Sequence, residues 1–333
     1  MSQDELIERL LKGDMRSAAR LITIAENDIN TAEEIIKKIY KYTGNAYILG
    51  ITGAPGSGKS TFISTLTSLF TEQGKKVGII CVDPTSPLTG GAILGDRIRM
   101  KKQFTLENVF IRSCANRGQL GGLARATEDM IKILDVYGCD IIIVETVGVG
   151  QSEVDIFRSA QTVIVLLVPG LGDDIQAIKA GIMEIVDIFA VNKMDLDGAD
   201  RKVSEIMQML ELEMNFKYDY EEKGEYKKLK SWTPEIIKVN SKTGENFEKL
   251  LEIIKKHQEF LRDSGIIENY QVNRIKNETL QILKHKLTKK VESILHSDSE
   301  ENGKIDEYIR LVMDKSLDPY SMANLIIKLL GIE

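Results

Sequence analysis

One nine-residue stretch constrains the fold of this chain more than any other: Gly53-Ala54-Pro55-Gly56-Ser57-Gly58-Lys59-Ser60-Thr61. It fits G-x-x-x-x-G-K-[ST], a phosphate-binding loop that works only between a buried strand and a helix. Both neighbours are written in the sequence. Tyr47-Ile48-Leu49-Gly50-Ile51-Thr52 is apolar and β-branched, and Phe62 to Phe70 is apolar at helical spacing. Glycines let backbone N–H groups converge on phosphate oxygens without Cβ clashes, and the helix N-terminus adds partial positive charge. Gly53 through Thr61 are therefore the expected phosphate-binding residues. Lys59 would reach the β- and γ-phosphates, and the Ser60 hydroxyl would ligate Mg²⁺.

The remaining pattern extends this unit into an α/β fold. Short β-branched runs recur at 76–82, 109–112, 140–145, 162–168, 187–191 and 236–239, separated by helical or Gly-rich stretches. Such alternation predicts a mainly parallel sheet flanked by helices on both faces, with ligands at the carboxyl ends of the strands. The expected organisation is an N-terminal helical extension over 1–45, a P-loop domain over 46–264 and a C-terminal helical arm over 265–333. Within the extension, Thr31-Ala32-Glu33-Glu34 reads as a helix start. In the arm, a helix over 268–296, a polar break over 297–303 and a helix over 305–331 are expected, a pair suited to docking or dimerisation.

Strand-end residues carry the chemistry. Asn192-Lys193-Met194-Asp195 follows the run ending at Val191. An Asp195 carboxylate can accept from both N1–H and the 2-amino group of guanine, whereas adenine would leave it facing a lone pair. GTP is thus expected over ATP, with Asn192, Lys193 and Asp195 on the base. Val239-Asn240-Ser241-Lys242-Thr243-Gly244 follows the last run, and Ser241, Lys242 and Thr243 are placed to close over the guanine O6. For Mg²⁺, Asp83 and Glu145 join Ser60 as strand-end oxygen donors. Gly148, three residues beyond Glu145, could sense the γ-phosphate through its N–H. Pro84 to Met100, ending in Asp96, Arg97 and Arg99, and Pro169 to Gly181, containing Lys179, are long Gly-rich segments at the ligand edge.

The strings Asp83-Pro84-Thr85-Ser86, Thr89 to Met100, Glu145 to Glu153 and Pro169 to Lys179 resemble the MeaB/ArgK-type GTPases associated with methylmalonyl-CoA mutase. The likeness covers roughly residues 20–260 and returns at Leu317 to Ala323. It implies a homodimeric GTPase of the SIMIBI class with a C-terminal dimerisation arm. It further implies a chaperone of an adenosylcobalamin-dependent acyl-CoA mutase, gating cofactor loading and protecting or reactivating the mutase, with the mutase's adenosyltransferase as a second candidate partner. By the same resemblance Asp83, Asp96 and Glu145 lie around Mg²⁺ and the γ-phosphate, and Arg99 and Lys179 join Gly148 as switch residues. Where family members carry an Arg- and Trp-rich helix, this sequence has Gln271-Val272-Asn273-Arg274-Ile275-Lys276, and Trp232 is the one tryptophan. The family has also been labelled a kinase of a lysine/arginine/ornithine transport system.

Composition narrows the alternatives. A net charge of −6 leaves no footprint for nucleic acid or an anionic membrane, and no apolar run is long enough to span one. The N-terminus lacks the features of a signal peptide, and Cys81, Cys114 and Cys139 are widely spaced, which predicts a cytoplasmic protein with reduced thiols. A metal-inserting maturation GTPase needs clustered Cys or His ligands; the scattered cysteines with His257, His285 and His296 supply none. No direct cobalamin site is expected. Val149 follows Gly148 where Ras-like enzymes place a water-orienting Gln, and Gln151 comes two later, so slow intrinsic turnover is expected.

Overall fold

A computed structural model describes residues 1–83, 108–115, 122–146, 160–170, 185–221, 232–295 and 300–329. The expected strand runs form β1 (Tyr47–Gly53), β2 (Val77–Asp83), β3 (Val109–Ala115), β4 (Ile141–Thr146), β5 (Thr162–Leu167), β6 (Ile188–Val191) and β7 (Glu235–Lys238). They make one seven-stranded sheet in the order β3-β2-β4-β1-β5-β6-β7, and each neighbouring pair is parallel. Ile51 of β1 stands beside Glu145 of β4 and Ile164 of β5, which puts the phosphate loop and Glu145 at the same carboxyl edge.

Side-chain alternation divides each strand between two layers, as the twofold strand period requires. Ile48, Ile80, Val82, Ile142 and Val144 face a core shared with Leu6, Leu10, Leu21, Ile22, Ile35 and Ile39. Those residues come from α1 (Gln3–Leu11), α2 (Met15–Asn27) and α3 (Ile29–Ile39), so the N-terminal helices cover the sheet as part of its own core. Helix α5 (Gly122–Val136) joins that layer through Met130, Ile131 and Leu134. On the other face Leu49, Ile51, Ile79, Ile143 and Ile164 pack on α4 (Lys59–Glu72) and α7 (Phe247–Asp263), where the Phe62 and Phe247 rings meet at 5.0 Å. Helix α6 (Ala199–Glu221) lies over Val165, Phe189 and Val191.

Helix α3 starts at Ile29, two residues before the expected Thr31. The Asp28 carboxylate accepts from Asn30 N–H at 3.0 Å and from the Thr31 hydroxyl, so the cap precedes the threonine. The Asp135 carboxylate at the end of α5 accepts from the backbone N–H groups of Gly44, Asn45 and Ala46 and fixes the entry to β1.

The amino ends of the strands hold a buried polar chain. Tyr47 bonds Thr162, Thr162 Oγ1 lies 2.7 Å from His257 Nδ1, and His257 Nε2 lies 3.3 Å from Asp187 Oδ1. The Trp232 ring meets the His257 ring at a 55° tilt with centroids 4.6 Å apart, and its Nε1–H donates to the Asp187 carbonyl.

The chain divides into two compact units, Met1–Arg274 and Ile275–Glu333. Helix α8 spans Ile266–Leu295, and beyond it the expected single helix over 305–331 is two, α9 (Glu300–Met313) and α10 (Pro319–Leu329). Glu300 to Gly303, expected as part of the break, are already helical. A second, unexpected break follows α9, where Lys315 turns left-handed at φ 59° and Asp318 accepts from Tyr320 and Ser321 N–H ahead of Pro319. A positive φ ends one helix, and proline in the first turn starts the next.

Candidate functional site

The phosphate loop needs its glycines for measurable reasons. Gly53, Gly56 and Gly58 have φ of 154°, 82° and 92°, and Gly58 leads directly into Lys59 at the N-terminus of α4. A Cβ on Gly53 would lie 2.4 Å from the Leu166 carbonyl oxygen, and one on Gly58 would lie 2.6 Å from Asn192 Nδ2. Lys59 Nζ donates to the Gly53 carbonyl at 2.7 Å and the Ala54 carbonyl at 3.2 Å, which curls its ammonium over the loop. Ser57 is fully buried, and its hydroxyl is orphaned beneath the loop, close to the position a Gly53 Cβ would fill.

Asn192 joins this loop to the second strand-end cluster. Its Nδ2 donates to the Ser57 carbonyl at 2.8 Å, and its Oδ1 accepts from Ser241 N–H at 3.1 Å and Ser241 Oγ at 2.8 Å. Lys193, at φ 57°, donates Nζ to the Gly56 carbonyl at 2.9 Å. Thr65 of α4 donates its hydroxyl to the Ser241 carbonyl at 2.8 Å. Asn240 Nδ2 donates to Asp195 Oδ1 at 2.8 Å, and Met194 N–H donates to the Val239 carbonyl at 3.2 Å. Gly58, Thr61, Asn192, Lys193, Asp195, Leu196, Asn240, Ser241 and Lys242 together line a cleft of about 230 Å³.

The structure thus brings together the expected phosphate and base segments, from parts of the sequence more than 130 residues apart in the Asn192–Ser57 contact. Ser60 lies in the first turn of α4. Glu145 is buried near the end of β4, where Cys81 Sγ approaches Oε2 at 3.7 Å, and Thr146 bonds Thr52 across the same edge at 3.2 Å. A serine hydroxyl and a buried carboxylate are hard oxygen donors of the kind Mg²⁺ takes beside phosphates and water. Asp83 ends β2 beside Ala115, which places its backbone at this edge. Asp96, Arg99, Gly148 and Lys179 lie outside the described residues. The cleft also uses Asn240 and Leu196, which lie outside the residues expected on the base. The position of Asn240 immediately before Ser241-Lys242-Thr243 was the available signal.

Comparison with known proteins decides the family. The family model for "Methylmalonyl Co-A mutase-associated GTPase MeaB" matches residues 18–295. The chain belongs to the MeaB family. A Pyrococcus horikoshii homologue bearing a GTPase designation is 51% identical over 325 residues, 98% of this chain and 97% of the homologue. The GTPase ArgK of Escherichia coli is 41% identical over 198 residues, covering 58% of this chain and 60% of ArgK. The mouse mitochondrial methylmalonic aciduria type A homolog is 31% identical over 279 residues, 79% of this chain and 64% of that protein. A crystal structure of an LAO/AO transport system kinase shares the fold at a TM-score of 0.67 and 24% identity, covering 99% of this chain and 97% of that one. This MeaB-family chain is therefore a P-loop GTPase, and its sheet, expected from strand–helix alternation to be mainly parallel, is all-parallel among the described strands. Among the described residues, no helix is long and apolar enough to cross a membrane.

Proposed function

We propose that this MeaB-family GTPase is a Mg²⁺-dependent, slowly hydrolysing chaperone of an adenosylcobalamin-dependent acyl-CoA mutase. In this reading it acts as a cytoplasmic homodimer that gates cofactor loading and protects or reactivates the mutase. The observation that carries the nucleotide half is the bridge made by Asn192 between Ser57 and Ser241, which sets a phosphate loop and an Asp195-lined cleft side by side. The mutase half is supported by family membership.

The chemistry assigned to the chain is positioning plus electrostatics. Backbone N–H groups of Gly56 to Ser60 cradle the phosphates at the α4 N-terminus. Lys59, already turned toward the loop, neutralises charge on the β- and γ-phosphates. Ser60 and Glu145 would hold Mg²⁺, with Asp83 and Asp96 as further proposed ligands; the ion supplies charge stabilisation on the transferring phosphoryl group. Asp195 selects guanine, and Arg99, Gly148 and Lys179 are the proposed switch positions.

The test mixes the purified GTPase, loaded with a non-hydrolysable GTP analogue, with purified acyl-CoA mutases and with the mutase adenosyltransferase. Nucleotide-dependent retention of a mutase, and faster phosphate release from GTP in its presence, are expected. If no cobalamin-dependent mutase is retained and none accelerates hydrolysis, the chaperone reading is wrong. Labelled γ-phosphate appearing on protein or metabolite instead of in water would establish a kinase.

A further inference from the structure

We infer that Asn240 is a specificity-determining positioning residue, holding Asp195 and the 242–243 backbone in one register for the guanine base. The inference rests on the guanine reading of the cleft and deepens it.

Asn240 is buried two residues beyond β7, where it opens the 241–244 turn, at 8% exposure, whereas Asp195 is exposed on the cleft wall. An exposed aspartate ordinarily samples several rotamers and hydrates both oxygens. Here Asn240 Nδ2 donates to Asp195 Oδ1 at 2.8 Å. The same amide's Oδ1 accepts from Lys242 N–H at 3.0 Å and Thr243 N–H at 3.4 Å. Those two backbone donors fix which end of the amide is oxygen. A flipped amide would set its oxygen against the carboxylate and its NH₂ against two N–H groups.

The backbone of Asn240 is fixed in turn. Its N–H donates to the Glu245 carbonyl at 3.2 Å, and its carbonyl accepts from Gly244 N–H at 2.9 Å. Asn246 Nδ2 closes the turn onto the Lys238 carbonyl at 2.9 Å. One rigid amide thus bonds the acid that would read N1–H and the 2-amino group, and also the loop that would cover O6. A charge-assisted bond to Oδ1 leaves Oδ2 and one Oδ1 lone pair for the base. Specificity for guanine then depends on the geometry Asn240 imposes as well as on the Asp195 charge.

The experiment measures GDP, IDP and XDP binding to the full-length chain by calorimetry, for wild type, Asn240→Ala, Asn240→Asp and Asp195→Asn. IDP lacks the 2-amino group, so the GDP:IDP ratio reads how well Asp195 engages it. Asn240→Ala is expected to lower that ratio about tenfold, the loss of one well-placed hydrogen bond to a charged group. Asn240→Asp keeps the acceptor for Lys242 and Thr243 N–H but sets a second carboxylate against Asp195. It is expected to lower the ratio as much, even if the alanine variant folds poorly. Equal weakening of GDP and IDP in both variants, with the ratio unchanged, marks a merely structural role and overturns the inference. Asp195→Asn is expected to shift preference from GDP to XDP. If it does so while both Asn240 variants keep the wild-type ratio, the Asn240 inference alone falls. If Asp195→Asn leaves the GDP preference intact, the guanine reading itself falls.

Discussion

The Asn192 side-chain amide donates to the Ser57 carbonyl at 2.8 Å, and with the Lys193–Gly56 contact it ties the phosphate loop to the base-reading segment that follows β6. The same side chain accepts from Ser241, so truncating it orphans a buried carbonyl and a buried N–H together. Each such group costs about 1–3 kcal/mol when left unpaired. Asn192→Ala is expected to lose at least about tenfold in GDP affinity, with a lower urea midpoint. Calorimetry on the folded variant decides it, and an affinity within twofold of wild type would show that the bridge is incidental.

The three loop glycines should rank in a defined order when changed to alanine. Gly56 has nothing within 4 Å of a new Cβ, so only its left-handed φ of 82° is strained, at about 1–2 kcal/mol. Gly58→Ala adds a contact 2.6 Å from an Asn192 amide already fixed by hydrogen bonds, so nucleotide affinity should fall more than stability. Gly53→Ala drives Cβ to 2.4 Å from the Leu166 backbone oxygen, which no side-chain rotation relieves. Its destabilisation should be greatest, about 2–6 kcal/mol from strain and overpacking combined. Urea midpoints that place Gly56→Ala below Gly53→Ala in stability would contradict this packing.

What the sequence made legible was local. Gly53 to Thr61 and Asn192 to Asp195 could be read because turn geometry and base chemistry each demand particular residues at fixed spacing. Strand positions were readable because β-branched runs alternate with helical ones. Contacts between distant segments left no such periodic mark. Nothing near Asn240 announces its bond to Asp195, 45 positions away. Nothing around Asp135 announces that it holds Gly44 to Ala46. The N-terminal helices were legible as helices, but their place in the sheet's own core depends on packing that spacing does not encode. In the C-terminal helices, the positive φ at Lys315 has no local signature, since lysine rarely adopts one, whereas Asp318-Pro319 does mark the start of α10 in the sequence.

The Asp135 contact makes its own prediction. Its carboxylate accepts from three successive backbone N–H groups, those of Gly44, Asn45 and Ala46, at the junction between the N-terminal helices and β1. Asp135→Ala removes all three acceptor contacts and should destabilise the chain by about 1–3 kcal/mol. Hydrogen exchange should speed first at 40–47, while the amides of β4 and β5 keep their protection. Uniform loss of protection across the sheet would mean that Asp135 supports the whole core and not this junction.

The His257–Asp187 contact yields a pH signature with a defined sign. Burial pushes the Asp187 carboxyl up to about 7, opposed in part by the Val163 N–H, and burial pushes His257 down to about 4. Between about pH 4 and 7 these shifts make the folded contact a hydrogen bond between neutral groups and not an ion pair. Between about pH 4 and 6.5 the folded pair carries one proton, on Asp187, and the unfolded pair carries one, on His257. Wild-type stability should consequently be nearly flat over this window as far as these groups go. Each single variant uncovers the partner left behind. In His257→Asn, Asp187 keeps its raised value because burial causes it, so the stability present at low pH is lost as pH rises from about 4 to 7. In Asp187→Asn, His257 stays neutral when folded, so stability is lost as pH falls from 6.5 toward 4. Each slope can reach about 1.4 kcal/mol per pH unit. Urea unfolding at pH 4.5, 5.5 and 6.5 measures all three proteins. Opposite slopes in the two variants, with a flatter wild type between them, are the expected result; slopes of the same sign would show that Asp187 and His257 do not exchange a proton on folding.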